Sequence, residues 1–529
     1  MLNLCSNLIR NAHLFGDKTA VFCGDERMSY AQLLAASSGV ANALRRLGIG
    51  RGDKVALSCP NLPWFPVAYY GILQLGAVVV PLNILLKAPE IAYHLRDCDA
   101  RAFLCHEGQT DLAMAREGWE AFSQVPGCAH FVLIGADASA PEVDGMPTLA
   151  GLMARQLERM DLVRTAADDT AVILYTSGTT GQPKGAELSH SNINTNALCC
   201  GALTKLDSRD THLIALPLFH TFGQTVQMNA ALQVGASIVL LSRFDPDLVL
   251  RTMQQRQVTV FCGVPTMFIS ILNLPGAADR HDLQAIAAHL RLGVSGGAPM
   301  PVAVLRAFEE KFGVIILEGF GLSETSPVAT FNHLDSERIP GSVGQPIAGV
   351  EVAIMDEAGG IVADGTDGEI VVRGHNVMKG YYKRPDDTAL AIRHGWLHTG
   401  DIGRRDGNGN FYIVDRMKDM VIRGGFNVYP RELEEVLMQH PAIAMVAVIG
   451  VPHPVHGEEV KAFVVLKPGH VETPEAIVAW CRERMAAYKY PRIVEIAEAL
   501  PMTATGKILK RALRAPGPLP LHPSTTPAP

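Results

Sequence analysis

The chain has 529 residues, too many for one hydrophobic core, so several domains or subdomains are expected. Hydrophobic residues make up 48% and charged residues 19%, which excludes a disordered or fibrous chain and suits a packed enzyme. A net charge of -7 leaves no electrostatic footprint for nucleic acid, so that partner is excluded and any polyphosphate site must be built locally.

In chain order, the N-terminus "MLNLCSNLIRNAHLFG" lacks a basic segment followed by a long apolar one, so a cleaved signal peptide is not expected. Two uncharged stretches, Val55 to Leu86 and Leu213 to Ser242, imitate membrane spans. Pro60, Pro63, Pro66 and Pro81 interrupt the first, and His220, Gln224, Gln227 and Asn229 the second, so buried strands and helices are expected instead. The ten cysteines include the adjacent pair Cys199 and Cys200 but no CxxC spacing, which points to a reduced cytoplasmic chain without a zinc site.

Short β-branched runs such as "RAFLCH", "HFVLIG", "AVILYT", "ASIVLLS" and "VTVFCG" alternate with helix-like segments such as "AQLLAASSGVANALRRLG" and "DPDLVLRTMQQR". That alternation predicts an α/β fold with parallel sheets covered by helices. Near Glu351 the texture changes to "VEVAIMDEAGGIVADGTDGEIVVRG", where Gly and Asp turns join alternating strands, as in a small antiparallel, β-barrel-like unit. "YPRELEEVLMQHPAIAMVAVIGVP" then reads as a helix and a strand of a smaller α+β C-terminal domain. The Pro-rich tail "APGPLPLHPSTTPAP" has no core-forming pattern and is expected to be disordered.

The stretch "LYTSGTTGQPKGAE", Leu174 to Glu187, is built to hold something other than a core. A strand, a glycine and hydroxyl loop, and the helix-compatible "SHSNINTNALCC" can turn N–H and hydroxyl groups toward phosphate oxygens. Gly178 and Gly181 permit close backbone approach, Thr176, Ser177, Thr179 and Thr180 donate hydrogen bonds, and Lys184 adds charge. The spacing is not that of a Walker loop. Alone, the loop is equally compatible with a flexible surface turn.

The loop is followed by "GFGLSET", "HTGDIG", "DRMKDMVIRGGFNVYP" and "PMTATGKILKR". Together, in this order and spacing, these motifs resemble the adenylate-forming superfamily over nearly the whole chain, and "HGWLHTGDIG" with "GGFNVYP" is most similar to fatty acyl-CoA synthetases. The resemblance implies an AMP-forming ligase that makes an acyl-adenylate from a carboxylate and ATP with Mg2+, then passes the acyl group to the thiol of CoA. It also implies an N-terminal adenylation domain over residues 1–415, a hinge at 416–418, a mobile C-terminal domain over 419–515 and a disordered tail over 516–529.

By the same resemblance, the loop Thr176, Ser177, Gly178, Thr179, Thr180 and Lys184 holds the β- and γ-phosphates, with Thr180 counted among the catalytic groups. Glu324 is similar to the Mg2+ ligand, Ser323 reaches the α-phosphate, and Phe320 with Gly321 flanks the adenine. Gly296 and Gly297 in "VSGGAP" line the adenine and acyl sites. Asp401 and Arg416 look like the ribose-binding pair, Lys418 the hinge, and Lys507 the lysine that reaches the α-phosphate and carboxylate. Gly424 and Gly425 leave room for the CoA arm, and His220 stands at the acyl entrance. No basic residue in the second uncharged stretch could pair with a second carboxylate, so an apolar monocarboxylic acid is expected rather than malonate; the resemblance implies a medium- or long-chain fatty acid, with aromatic acids next, and the sequence does not set the chain length.

Three other readings stay open. An acyl-AMP ligase that loads a carrier protein would carry an insertion near the hinge, and none stands between Thr399 and Pro430. A non-catalytic acyl or nucleotide sensor would not require Lys507. An adenylate-using oxygenase of the luciferase kind shares these motifs. No transmembrane segment is expected, although an apolar acid that partitions into bilayers is compatible with weak peripheral membrane contact.

Overall fold

The computed structural model describes residues 2–108, 112–135, 142–154, 160–176 and 182–514. Ser177, Gly178, Thr179, Thr180 and Gly181 of the loop, and the tail 516–529, lie outside the described residues.

Two large sheets form the N-terminal domain. In one, strands Thr211–Ile214, Ser237–Leu240, Val260–Gly263, Leu292–Ser295 and the start of Ile315–Gly321 run parallel. In the other, Lys54–Ser58, Val78–Pro81, Ala100–His106 and His130–Ile134 run parallel, and Thr170–Thr176 joins them beside Val78–Pro81. Their Val, Ile and Leu side chains are buried on both faces because helices cover the sheets, as the alternating pattern predicts. Helix Tyr30–Arg46 starts at a Ser29 and Gln32 capping box, and helix Pro246–Arg256 at the Asp245 cap followed by proline.

Both uncharged stretches are interior: the first forms Lys54–Ser58, helix Trp64–Gln74 and Val78–Pro81, with the helix buried almost throughout. No described helix is long and apolar enough to cross a membrane. The second stretch contains a buried π-helix, Phe222–Asn229, the kind of helical irregularity that often marks a functional site.

The helix expected directly after the Gly-rich stretch is preceded by a strand. The Gly-rich loop does not feed directly into a helix, because strand Lys184–Ser189 returns antiparallel to Thr170–Thr176 and only then does helix His190–Leu203 begin at the Ser189 cap. Strands Thr170–Thr176 and Lys184–Ser189 therefore form an antiparallel pair ahead of that helix.

Strands Val350–Met355, Gly368–Gly374, Trp396–Arg405 and Phe411–Arg416 pair antiparallel in the expected smaller β unit. The smaller C-terminal domain is α+β: the long hairpin Ile443–His453 with Gly457–Leu466 carries helices Pro430–Leu437 and Pro474–Arg482 and has its own apolar core. The loops after Thr170–Thr176, Leu292–Ser295 and Ile315–Gly321 open at the carboxyl ends of strands, where α/β folds place ligands.

Candidate active site

Thr176, at the last position of its strand, donates from Oγ1 to Glu324 Oε1 at 3.0 Å. Tyr381 OH donates to the same oxygen, also at 3.0 Å. Both bonds fall on Oε1, so among the described residues Oε2 is the oxygen left to face a ligand. Glu324 is held by a short 3-10 turn, Ser323–Thr325, in which Thr325 accepts from the Leu322 N–H and donates to the Pro327 carbonyl. Gly321 cannot be otherwise here, since a Cβ would sit 1.8 Å from the Pro327 oxygen. Lys184 is ion-paired with Asp387 and lies 5.4 Å from the Tyr381 ring centre.

A second cluster faces Gly297. Asp401 and Arg416 are directly opposite on neighbouring strands, and Arg416 Nε donates to Asp401 Oδ1 at 2.9 Å. Asp401 is 3% exposed, and its Oδ2 is buried with no hydrogen-bond partner among the described residues. Burial raises its pKa, against the pull of Arg416, Lys507 and Lys418. A buried carboxylate oxygen left unpaired is costly unless a ligand donates to it. Its backbone is fixed by Thr399, whose Oγ1 accepts from the Asp401 N–H and donates to the Ile370 carbonyl, and by Glu369, which accepts from the Gly400 N–H.

Lys507 arrives from the other domain. Its turn is closed by the Thr503 N–H to Lys507 carbonyl bond and by Thr503 Oγ1, which accepts from the Lys507 N–H. Thr266 Oγ1 donates to the Gly506 carbonyl at 2.6 Å and docks that turn on the N-terminal domain. A Cβ on Gly297, at φ +79°, would stand 2.9 Å from Lys507 Cε and 3.3 Å from Nζ. Burial, reinforced by Arg416 and opposed by Asp401, pushes the Lys507 pKa down to about 8. His220, next to it, is pushed down to about 3 by burial and by Lys507. Its Nδ1 accepts from the Phe222 N–H, so the neutral ring carries its proton on Nε2.

Around this seam sit buried charges from both domains. Glu435 accepts from the Val302 N–H, Arg431 bonds the Ile413 carbonyl, and Asp415 accepts from the Arg431 N–H. Lys510 pairs with Glu434 at 2.7 Å. Burial raises Glu318 to about 7 despite Arg431, and raises Glu435 as well.

The structure thus brings Thr176 to Glu324 and brings Gly297, His220, Asp401, Arg416 and Lys507 together. Phe320 precedes the Glu324 turn and Ser323 opens it, both half-buried. Gly424 and Gly425 are not gathered in: they lie exposed at the hairpin turn between Val421–Arg423 and Phe426–Val428, with His456 the nearest side chain to Gly424. Lys418 is exposed in the turn after Arg416.

Residues 8–382 match the AMP-binding enzyme family, and residues 432–507 match the AMP-binding enzyme C-terminal domain. The chain belongs to the AMP-binding enzyme family. It is 37% identical to a long-chain-fatty-acid--CoA ligase of Bacillus subtilis (strain 168), over 96% of this chain and 94% of that protein. It is also 37% identical to a feruloyl-CoA synthase of Amycolatopsis sp, over 96% and 97%. Among solved structures, the anthranilate CoA ligase AuaEII in complex with anthranoyl-AMP superimposes with a TM-score of 0.88 at 32% identity, covering 97% of this chain and 96% of that one.

In this AMP-binding enzyme, sequence reasoning misses Tyr381 and the charged seam of Glu318, Arg431 and Glu435. The "KGYYKRP" run, with two adjacent tyrosines between cations, is the one local signal that points to Tyr381.

Proposed function

We propose that this chain, an AMP-forming acyl-CoA synthetase, activates a medium- or long-chain fatty acid as its acyl-adenylate and hands the acyl group to CoA. The observation that carries the reading is Lys507, delivered by the C-terminal domain to Gly297 beside Asp401 and Arg416. Binding alone gives no reason to bury an ammonium group at a domain seam.

In the first step a carboxylate oxygen attacks the α-phosphorus of ATP, the new C–O–P linkage forms and pyrophosphate leaves. The orphaned Oδ2 of Asp401 is suited to a ribose hydroxyl, with Arg416 fixing the other oxygen. That arrangement holds the nucleoside in line for attack. Lys507 meets the negative charge that develops between carboxylate and α-phosphate. Thr176 and Lys184 are assigned to the phosphates that leave, with Ser323 near the α-phosphate and Phe320 against the adenine. Glu324 fits a Mg2+ site: one hard carboxylate oxygen has no hydrogen-bond partner among the described residues, and ATP oxygens would supply further ligands. When bound, the ion neutralises phosphate charge.

In the second step the CoA sulfur attacks the acyl carbonyl carbon and AMP leaves. Lys507 has no task in it, and the exposed Gly424 and Gly425 turn is the face with room for the pantetheine arm. A pivot near Lys418 in the 416–418 segment exchanges the two faces, between an N-terminal domain over 1–415 and a C-terminal domain over 419–515.

For the acid, Phe222 lies against Gly296, Val264 against Gly297 and Gly506, and Met267 against Gly506, so apolar side chains stand beside Lys507 and Thr266 in this corner, and His220 is neutral. An aromatic acid is the second reading. It is favoured by the equal identity to a feruloyl-CoA synthase and by the Phe222 ring, which stands within 3.2 Å of where a Gly296 Cβ would be.

Acid-dependent pyrophosphate release with ATP and Mg2+ tests this, across saturated acids of increasing length plus benzoate, cinnamate and ferulate, with and without CoA. Turnover that needs CoA and peaks at one saturated chain length supports the fatty-acid reading. A maximum on an aromatic acid selects the second reading, a burst that CoA cannot relieve points to a carrier-protein acceptor, and no release with any acid refutes both.

A further inference from the structure

Asp97 ends helix Ala88–Asp97. Its side chain is 11% exposed and joins two elements: Oδ2 accepts from Tyr175 OH at 2.8 Å, and Oδ1 accepts from Arg384 Nη2 at 2.6 Å. Tyr175 immediately precedes Thr176. Arg384 lies three residues after Tyr381. Thr176 and Tyr381 are the two donors to Glu324 Oε1, so the contacts close a ring: Asp97, Tyr175, Thr176, Glu324, Tyr381, Arg384 and back to Asp97.

The ring is braced on both sides. Tyr93, one turn earlier on the same helix, donates from OH to the Pro183 carbonyl at 2.7 Å, just beyond the 177–181 segment. The His94 ring meets the Tyr175 ring edge-on at 4.3 Å. The segment bearing Tyr381 and Arg384 is pinned to strand Lys184–Ser189 by the Tyr382 N–H to Gly185 and the Lys379 N–H to Glu187 bonds. Two hydrogen bonds onto one carboxylate oxygen orient Glu324 only if the donors keep their separation. Asp97 adds a side-chain tie between the residue next to one donor and the segment that carries the other.

We infer that Asp97 is a positioning residue for ATP: it acts through Tyr175 and Arg384 to hold Thr176 and Tyr381 at the spacing that aims Glu324 at the phosphates. This rests on the reading of Glu324 and Thr176 as phosphate-side groups. Asp97 itself touches no substrate. Its carboxylate is used as a charged double acceptor, which an amide replaces with a neutral and weaker one.

The test uses the full chain with Asp97→Asn and Tyr175→Phe, and Asp99→Asn as a matched control. Asp99 makes a similar pair of contacts, with Lys383 and Tyr382, two residues away and outside the ring. KM for ATP, KM for the acid and kcat are measured, together with calorimetric binding of ATP with Mg2+ and in EDTA, neither of which requires turnover. We expect Asp97→Asn and Tyr175→Phe each to raise KM for ATP and to weaken ATP binding in the presence of Mg2+ by about tenfold, the effect of loosening one charged hydrogen bond, while binding in EDTA, where Glu324 has no cation to share with the phosphates, stays at the parent value. KM for the acid stays within about twofold, and Asp99→Asn changes neither constant. Should Asp97→Asn not fold, Tyr175→Phe, which deletes only a hydroxyl, carries the same test. Wild-type ATP constants in both ring variants overturn the inference, as does an equal response of Asp99→Asn. Glu324→Gln separates the two levels: if it impairs ATP use while the ring variants do not, the brace alone is wrong. If Glu324→Gln is itself without effect, the phosphate-side reading fails and the inference with it.

Discussion

Lys507 lies between a cation and an anion that pull its proton affinity in opposite directions, and this can be read in rate against pH. Its pKa falls from 10.5 to about 8, chiefly through burial and secondarily through Arg416, while Asp401 opposes the drop. The fall corresponds to ~3 kcal/mol against the ammonium form. If adenylation needs that ammonium, kcat/KM for ATP in pyrophosphate release has a descending limb near pH 8 and drops about tenfold per pH unit beyond it. Bound ATP restores negative charge, so the limb in kcat lies higher. Arg416→Gln removes a like charge and moves the kcat/KM limb up; Asp401→Asn removes the opposite charge and moves it down. Both variants also lower the plateau by loosening the nucleoside, but a plateau and a midpoint are separate readouts. A limb that stays fixed in both variants, or moves the same way in both, refutes the assignment of that proton to Lys507.

Gly297→Ala places a side chain at φ +79° against Lys507 Cε. The left-handed backbone alone costs about 1–2 kcal/mol, and displacement of the lysine is expected to lower pyrophosphate release about tenfold or more; stopped-flow release and a melting curve check both parts. Glu318→Gln tests the charged seam. Burial lifts Glu318 to about 7, above its ordinary 4.5, so the folded chain holds the extra proton between those values and loses stability as pH rises through that window. The glutamine variant should therefore melt higher than the parent at pH 8 and alike near pH 4.5.

Much of the fold is legible in the sequence because buried parallel strands are written as short β-branched runs, as in "AVILYT" and "VTVFCG". Strand Lys184–Ser189 is not, because "KGAELS" contains no β-branched residue and owes its pairing to the strand before the loop. Asp401 and Arg416 are legible as motif residues, yet only the structure shows the unpaired Oδ2 that makes Asp401 a hydrogen-bond acceptor in waiting. Tyr381 and Asp97 act across long sequence separations and leave no periodic trace. Glu318, Arg431 and Glu435 become a cluster only when two domains close on each other, which no local pattern encodes.

The most direct test of the central claim separates the two half-reactions in Lys507→Ala. Acid-dependent pyrophosphate release is expected to fall by about 100-fold or more, while CoA thioester formation from supplied acyl-adenylate stays within a few-fold of the parent. Equal loss in both half-reactions, or an unchanged rate of pyrophosphate release, would contradict the account.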